Sequence, residues 1–278
     1  MKYPTDDLRI KTMQEVTPPM ALHEQYPVSE VASETVTTAR QACHHILHGT
    51  DDRLLIIVGP CSIHDVDAAK EYAQRLLQLR ETLKDDLHII MRVYFEKPRT
   101  SIGWKGLIND PDLDGSFKIN KGLGLARQLL LDLNELGIPA ATEYLDLISP
   151  QYIADLVSWA AIGARTTESQ GHRELASGVS CPIGFKNGTY GNMNVAINAV
   201  SAAYRSHSFL SVTKAGHSAI FTTTGNEDCH IILRGGHNEP NYSAEHVENA
   251  VAEVNAASSE ECPLQPRLMV DCSHANSE

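Results

Sequence analysis

The chain has 278 residues, 42% of them hydrophobic and 21% charged, enough for one large globular domain with a sizeable core. Its 35 acidic against 23 basic residues give a formal charge of −12, which argues against a nucleic-acid surface or a polybasic membrane contact. No run approaches the ~18 consecutive apolar residues of a membrane span, and the polar opening MKYPTDDLRIKTMQ resembles neither a signal nor a transit peptide, so a cytoplasmic location is expected.

Residues 1–50 read as an arm. The Thr-Pro-Pro run at 17–19 is expected to break any early helix. Residues 29–47 have helical spacing, although Ser29 lacks the partner of a capping box. From there short apolar runs alternate with amphipathic stretches. The runs lie at 54–61, 87–95, 139–145, 160–166, 181–188, 229–236 and 267–274. Helices are predicted at 68–83, at 123–136 with Gly137 as its stop, and at 151–160, 168–176, 194–204 and 244–256. Two segments interrupt the alternation. Residues 96–121 form a long loop carrying KPRTSIGWKG. Residues 208–225 are rich in β-branched and aromatic residues and read as an inserted hairpin.

Repeated strand–helix alternation means parallel α/β architecture, and near-continuous apolar strands fit a sheet buried on both faces. Polar residues gather at the C-terminal ends of the strands, where (β/α)₈ barrels build their sites. A doubly wound open sheet would usually carry a glycine-rich phosphate loop after its first strand, and GPCSIH is not one. A doubly wound open sheet stays possible at this point; on the barrel reading the domain spans 51–278, with strands 1–7, preceded by the arm and carrying the hairpin.

The basic groups are placed tellingly. Arg92 lies in the second strand with Lys97 and Arg99 just after it, Arg165 ends the fourth, Lys186 the fifth and Arg234 the sixth. Six cations at one mouth of an acidic protein point to substrates with several anionic groups, since Arg and Lys match phosphate and carboxylate oxygens. The competing explanation is that each caps a strand through an ion pair. Glu143, at the end of the third strand, is a general acid or base, or an orienter of a cation. Cys61 and His274 end the first and seventh strands and could ligate a divalent transition metal, although a strand-end Cys is more often a buried thiol. His64 and His172 also lie near the mouth. The six cysteines show no CxxC spacing and are expected to be mostly free thiols.

Longer motifs then narrow the reading. GPCSIHD (59–65), MRVYFEKPRTSIGWKGLINDP (91–111), GARTTESQGHRELASG (163–178), GFKNGT (184–189), HIILRGG (230–236), PNYS (240–243) and DCSHANS (271–277) resemble the signatures of the class I 3-deoxy-D-arabino-heptulosonate-7-phosphate (DAHP) synthases. The resemblance runs from about residue 5 to the last residue. It implies a (β/α)₈ barrel that condenses phosphoenolpyruvate with erythrose 4-phosphate. By resemblance Arg165, Lys186 and Arg234 hold phosphoenolpyruvate, with Arg92 and Lys97 close by, while Arg99 and Thr100 hold the erythrose phosphate. Cys61 and His274 match two of the family's four metal ligands, for one divalent ion (Mn²⁺, Fe²⁺ or Co²⁺), and no organic cofactor is implied. Lys97, Glu143 and His274 are the expected catalytic residues.

The resemblance also implies regulation. Family members use the arm and hairpin at a subunit interface, in a homodimer or homotetramer, to bind an aromatic end product. The matching pocket residues are Gln151, Ser180, Phe209 and Ser211, with Asp6 and Asp7 contributed by a neighbouring arm. Ser211 favours phenylalanine as inhibitor, since tyrosine-sensitive relatives tend to have Gly there.

Family members continue past the position of Glu278 into the last helix pair, the eighth strand and two further ligands, a Glu and an Asp. The expectation from sequence is thus a barrel lacking its last helix–strand–helix and doubtful as a catalyst on its own. Smaller departures are Tyr190, where many relatives have Asp, and a longer segment around Asn238. Two other functions compete. One is the related 3-deoxy-octulosonate-8-phosphate synthase, disfavoured by the KPRT run and the arm. The other is a non-catalytic barrel that binds an aromatic amino acid or pairs with full-length subunits.

Overall fold

The computed structural model of the chain describes residues 3–99 and 101–277. Seven strands form one parallel sheet in the order β1 (Leu54–Val58), β2 (Leu87–Arg92), β3 (Ala140–Glu143), β4 (Trp159–Ile162), β5 (Ile183–Lys186), β8 (Cys229–Leu233) and β9 (Leu268–Val270). All seven coincide with the apolar runs read from the sequence. The missing numbers are β6 (Ser208–Val212) and β7 (Ser218–Thr222), the antiparallel hairpin inserted between β5 and β8. A parallel sheet with helical crossovers is the expected α/β barrel architecture. β3, β4, β5 and β8 are buried along their whole length, whereas the edge strands β1 and β9 are only partly covered.

The helices follow their local chemistry. Ser29 does cap α2 (Glu30–Leu47), its Oγ accepting from the Ala32 amide at 3.2 Å. Asp65 caps α3 (Val66–Thr82) in the same way, and Ser243 caps α8 (Ala244–Ala257). α4 (Ile119–Glu135) ends where Gly137 adopts φ +88°, a conformation that costs a residue with a Cβ. α6 (Gln170–Ala176) and α7 (Met193–Ala203) lie close to their predicted spans.

Two expectations fail. Pro19 does not break an early helix but opens one, α1 (Pro19–Gln25), because the first turn needs no proline N–H. The predicted helix at 151–160 is only one turn, α5 (Pro150–Ile153), then a 3₁₀ turn over Ala154–Leu156. Sheet pairing wins there: the Ser158 amide donates to the Ala140 carbonyl at 2.8 Å and fully buried Trp159 starts β4. The Arg40 guanidinium of α2 donates to the carbonyls at the end of this turn, those of Ala154 (2.7 Å) and Val157 (2.7 and 3.0 Å).

The period-2 alternation of the strands divides the core. Ile89, Met91, Phe185 and Ile231 pack toward the helices together with Leu129 and Leu130 of α4. Ile90, Ala141, Trp159, Ala161 and Ile232 form a separate inner cluster with Leu55, Ile57 and Met269. Gly184 makes room for it, since a Cβ there would come within 2.7 Å of Trp159. Counting two residues on from this inner set reaches Arg92, Glu143, Lys186, Arg234 and Asp271, which places them on the same face at the C-terminal ends.

Candidate functional site

Two groups of side chains meet at this mouth. In the first, Lys97 Nζ donates to Cys61 Sγ at 2.9 Å and to the Cys61 carbonyl at 3.3 Å, and Arg92 Nη2 donates to that carbonyl at 3.1 Å. The Arg92 guanidinium also lies 3.7 Å from the centroid of the Tyr94 ring, a cation–π contact. The Lys97 hydrogen bond, aided by the Lys97 and Arg92 charges, holds the Cys61 thiol below its ordinary range despite partial burial.

In the second group, buried Lys186 bridges two carboxylates. Its Nζ lies 3.2 Å from Glu143 Oε2 and 3.6 Å from Asp271 Oδ2. Burial would lower the ammonium's pKa, but Glu143 and Asp271 more than offset it, so the net direction is up. Asp271 in turn receives His274 Nδ1 at 2.7 Å. Burial would raise that carboxyl; the His274 hydrogen bond and the Lys186 charge overcome this and draw it well below the usual carboxylate range. His274 itself holds φ +56°, uncommon outside glycine. Glu143 thus faces the Lys186 ammonium.

An asparagine scaffold holds the strand ends. The amides of Arg234 and Gly235 donate to Asn187 Oδ1 (2.8 Å) and Asn241 Oδ1 (2.7 Å), and Asn276 Nδ2 donates to the Leu233 and Asp271 carbonyls, both at 3.0 Å. Burial first, then the charge of Arg165, lowers the Arg234 guanidinium's pKa against the pull of Asp271. Sequence reasoning missed Asp271 and the three asparagines, although GFKNG, PNYS and DCSHANS each carry one of these asparagines. His172 is buried and bonded to Ser169 and to the Leu145 carbonyl, which makes it structural; His64 is exposed.

Among the described residues, Arg92, Lys97, Arg99, Arg165 and Arg234 make no ion pair with a carboxylate. Arg92 Nε is moreover buried without a hydrogen-bond partner among the described residues. Among the described residues Arg99 donates only to the Trp104 carbonyl, at 2.9 Å, within the long loop. Thr100 lies outside the described residues. Strand-capping ion pairs among the described residues thus do not account for these cations.

Cys61 and His274 suit a transition ion chemically. The thiolate is the ligating form of Cys, and with His274 Nδ1 held by Asp271 its Nε2 is left to ligate. Among the described residues neither belongs to a group of three His, Cys, Asp or Glu donors close enough to share an ion.

A separate cavity of about 640 Å³ lies between α2, the α5 turn and the hairpin. Gln151, Ser180, Phe209 and Ser211 all line it, with Arg40 and Phe221. The Phe209 and Phe221 rings lie 6.3 Å apart on its hairpin wall. Asp6 and Asp7 are exposed and do not line the cavity within their own chain.

The chain is similar to known proteins of one family along nearly its whole length. The model of the DAHP synthetase I family matches residues 25–278. The Phe-sensitive phospho-2-dehydro-3-deoxyheptonate aldolase of Escherichia coli (strain K12) is 65% identical over 277 residues, covering 100% of this chain and 77% of the relative. The phospho-2-dehydro-3-deoxyheptonate aldolase of Haemophilus influenzae is 61% identical, covering 98% of this chain and 74% of the relative. The solved structure of the same-named aldolase from Francisella tularensis SCHU S4 superposes with a TM-score of 0.93 at 53% identity, covering 96% of this chain and 77% of that one.

Proposed function

The chain belongs to the DAHP synthetase I family, and we infer that it condenses phosphoenolpyruvate with D-erythrose 4-phosphate to give DAHP and inorganic phosphate. It is a transferase of the shikimate route to aromatic amino acids. The observation that carries the site assignment is the set of mouth cations left without carboxylate partners. Neither the octulosonate enzyme nor a non-catalytic barrel is favoured by the named relatives.

In the reaction, C3 of phosphoenolpyruvate forms a carbon–carbon bond to the aldehyde carbon, and the aldehyde oxygen takes up a proton. Water adds to C2 and loses a proton; the C2–O bond to phosphate then breaks and a ketone remains. The residues' main task is to hold two mutually repelling anions in contact. Arg165, Arg234 and Lys186 hold the phosphate and carboxylate of phosphoenolpyruvate, with Arg92 Nε available as a further donor. Glu143 and Asp271 keep Lys186 charged and aimed. Arg99 and Thr100 take the erythrose phosphate. Lys97 stands beside Cys61, where its ammonium can orient the aldehyde oxygen and supply its proton. A divalent ion (Mn²⁺, Fe²⁺ or Co²⁺) held by Cys61 and His274 would supply Lewis-acid polarisation there.

The 640 Å³ cavity is the effector pocket in this proposal, with phenylalanine as inhibitor; the E. coli relative's name specifies Phe sensitivity. Paired Leu210 and Ile220 are 81% and 75% exposed on the hairpin, which supports a homo-oligomer that covers them and brings a neighbour's Asp6 and Asp7 to the pocket. Among the described residues no helix is long and apolar enough to cross a membrane, and we place the enzyme in the cytoplasm. Product analysis with phosphoenolpyruvate and Mn²⁺, offering erythrose 4-phosphate and arabinose 5-phosphate separately, tests the assignment. Heptulosonate phosphate from the first sugar is expected; octulosonate phosphate from the second would refute it.

A further inference from the structure

At the opposite end of the sheet, three side chains converge that the reaction does not use. His44 and His48 lie one turn apart at the C-terminus of α2, on the same helix face, with ring centroids 4.2 Å apart. Asp228, which immediately precedes β8, meets both: its Oδ1 lies 2.7 Å from His44 Nδ1 and 3.0 Å from His48 Nε2. Arg234 follows the same strand, so roughly 20 Å of strand separates this cluster from the substrate mouth.

We propose that His44, His48 and Asp228 form a second metal site, for Zn²⁺ or a similar late transition ion, which clamps α2 to the floor of the barrel. The three ligand atoms lie within 4.8 Å of one another. Around a tetrahedral ion with bonds of ~2.0–2.1 Å, ligand atoms sit ~3.4 Å apart, so seating one requires shifts of under ~1 Å. Two imidazoles and one carboxylate suit Zn²⁺ rather than Mg²⁺ or Ca²⁺, which demand oxygen shells. The cluster is partly open, with side-chain exposures of 37%, 22% and 20%, so water can complete the coordination.

The site is pre-arranged on both sides. The His48 amide donates to the His44 carbonyl at 2.9 Å, closing α2. Asn226 fixes the loop of Asp228: its side chain donates to the Ala176 and Cys181 carbonyls at 3.0 and 3.1 Å and accepts from the Asp228 amide at 3.1 Å. The clamped helix also supplies Ser33, Val36, Thr37 and Arg40 to the wall of the 640 Å³ cavity. An ion at its C-terminus therefore fixes one wall of that pocket.

The test counts zinc in the Cys61→Ala variant, so that the mouth does not contribute. After dialysis against buffered Zn²⁺, this variant should retain one ion per chain and melt several degrees higher than in chelator. Its Co²⁺ form should show tetrahedral ligand-field bands without thiolate charge transfer. Adding His48→Gln, which can still donate to Asp228 and so preserves packing, should abolish both the bound ion and the melting shift. Equal zinc content and equal shift with and without His48→Gln would overturn the proposal, as would thiolate charge transfer in the cobalt spectrum.

Discussion

Lys97 Nζ lies 2.9 Å from Cys61 Sγ, although 36 residues separate them in sequence. β1 and β2 are neighbours in parallel register, Val58 opposite Met91, and the contact forms just past their ends. That ammonium keeps the thiol below its ordinary range.

Removing that ammonium should therefore make Cys61 a more ordinary thiol. In Lys97→Met, alkylation of Cys61 by iodoacetamide in chelator should be slower at neutral pH, with its pH midpoint moved upward. Mass spectrometry distinguishes Cys61 from Cys272, the other exposed cysteine. An unchanged pH profile would show that Lys97 does not tune the thiol.

Asp271 holds His274 at 2.7 Å and Lys186 at 3.6 Å. Asp271→Asn should weaken metal binding at the mouth by about 10–100-fold, as loss of an outer-sphere carboxylate typically does. Glu143 still faces Lys186, so phosphoenolpyruvate affinity should change much less. Equal loss of both affinities in metal and substrate titrations would mean that the substitution had collapsed the mouth.

Glu96, beside Lys97, provides a pH signature. Burial first, with Asp146 adding, pushes its carboxyl up to about 7, while the Ser149 hydroxyl at 3.1 Å pulls it partly back. The folded state thus holds this proton to higher pH than the unfolded state. Its contribution to stability is full below the unfolded value of ~4.3 and is lost as pH rises through the folded value. Relative to Glu96→Gln, the wild type should lose about 3 kcal/mol between roughly pH 4.5 and 8 in denaturant titrations. A pH-independent difference would contradict this assignment.

The proposed effector pocket yields a specificity prediction. At equal concentrations phenylalanine should inhibit more strongly than tyrosine or tryptophan, and Ser180→Phe should relieve inhibition by filling space between α2 and the hairpin. If tyrosine inhibits best, Ser211 does not select the ligand. If Ser180→Phe leaves sensitivity intact, the ligand sits elsewhere.

Much of this molecule is legible as local pattern. Each sheet strand is an apolar run, and the cations fall at strand ends because side-chain alternation carries the inner face outward to the mouth. The hairpin shows in its β-branched and aromatic residues, Phe209 to Phe221. The 151–160 segment misleads because Arg40, more than a hundred residues away, supplies the hydrogen bonds that let the helix stop early. Asp271 and Asn241 are missed for the same reason: their partners are set by which strands become neighbours. His44 and His48 show the four-residue spacing of a metal clamp, but Asp228, 180 residues past His48, joins them only through the fold.

The cations at the mouth that lack carboxylate partners among the described residues are expected to receive phosphoenolpyruvate. Calorimetric titration of phosphoenolpyruvate into the wild type, Arg165→Ala and Arg234→Ala measures this directly, with exposed Lys84→Ala as control. Each arginine loss leaves substrate charge unpaired at a cost of about 2–5 kcal/mol, so affinity should fall by ~30-fold or more while the control is unchanged. Wild-type affinity in both arginine variants would show that these cations do not receive phosphoenolpyruvate.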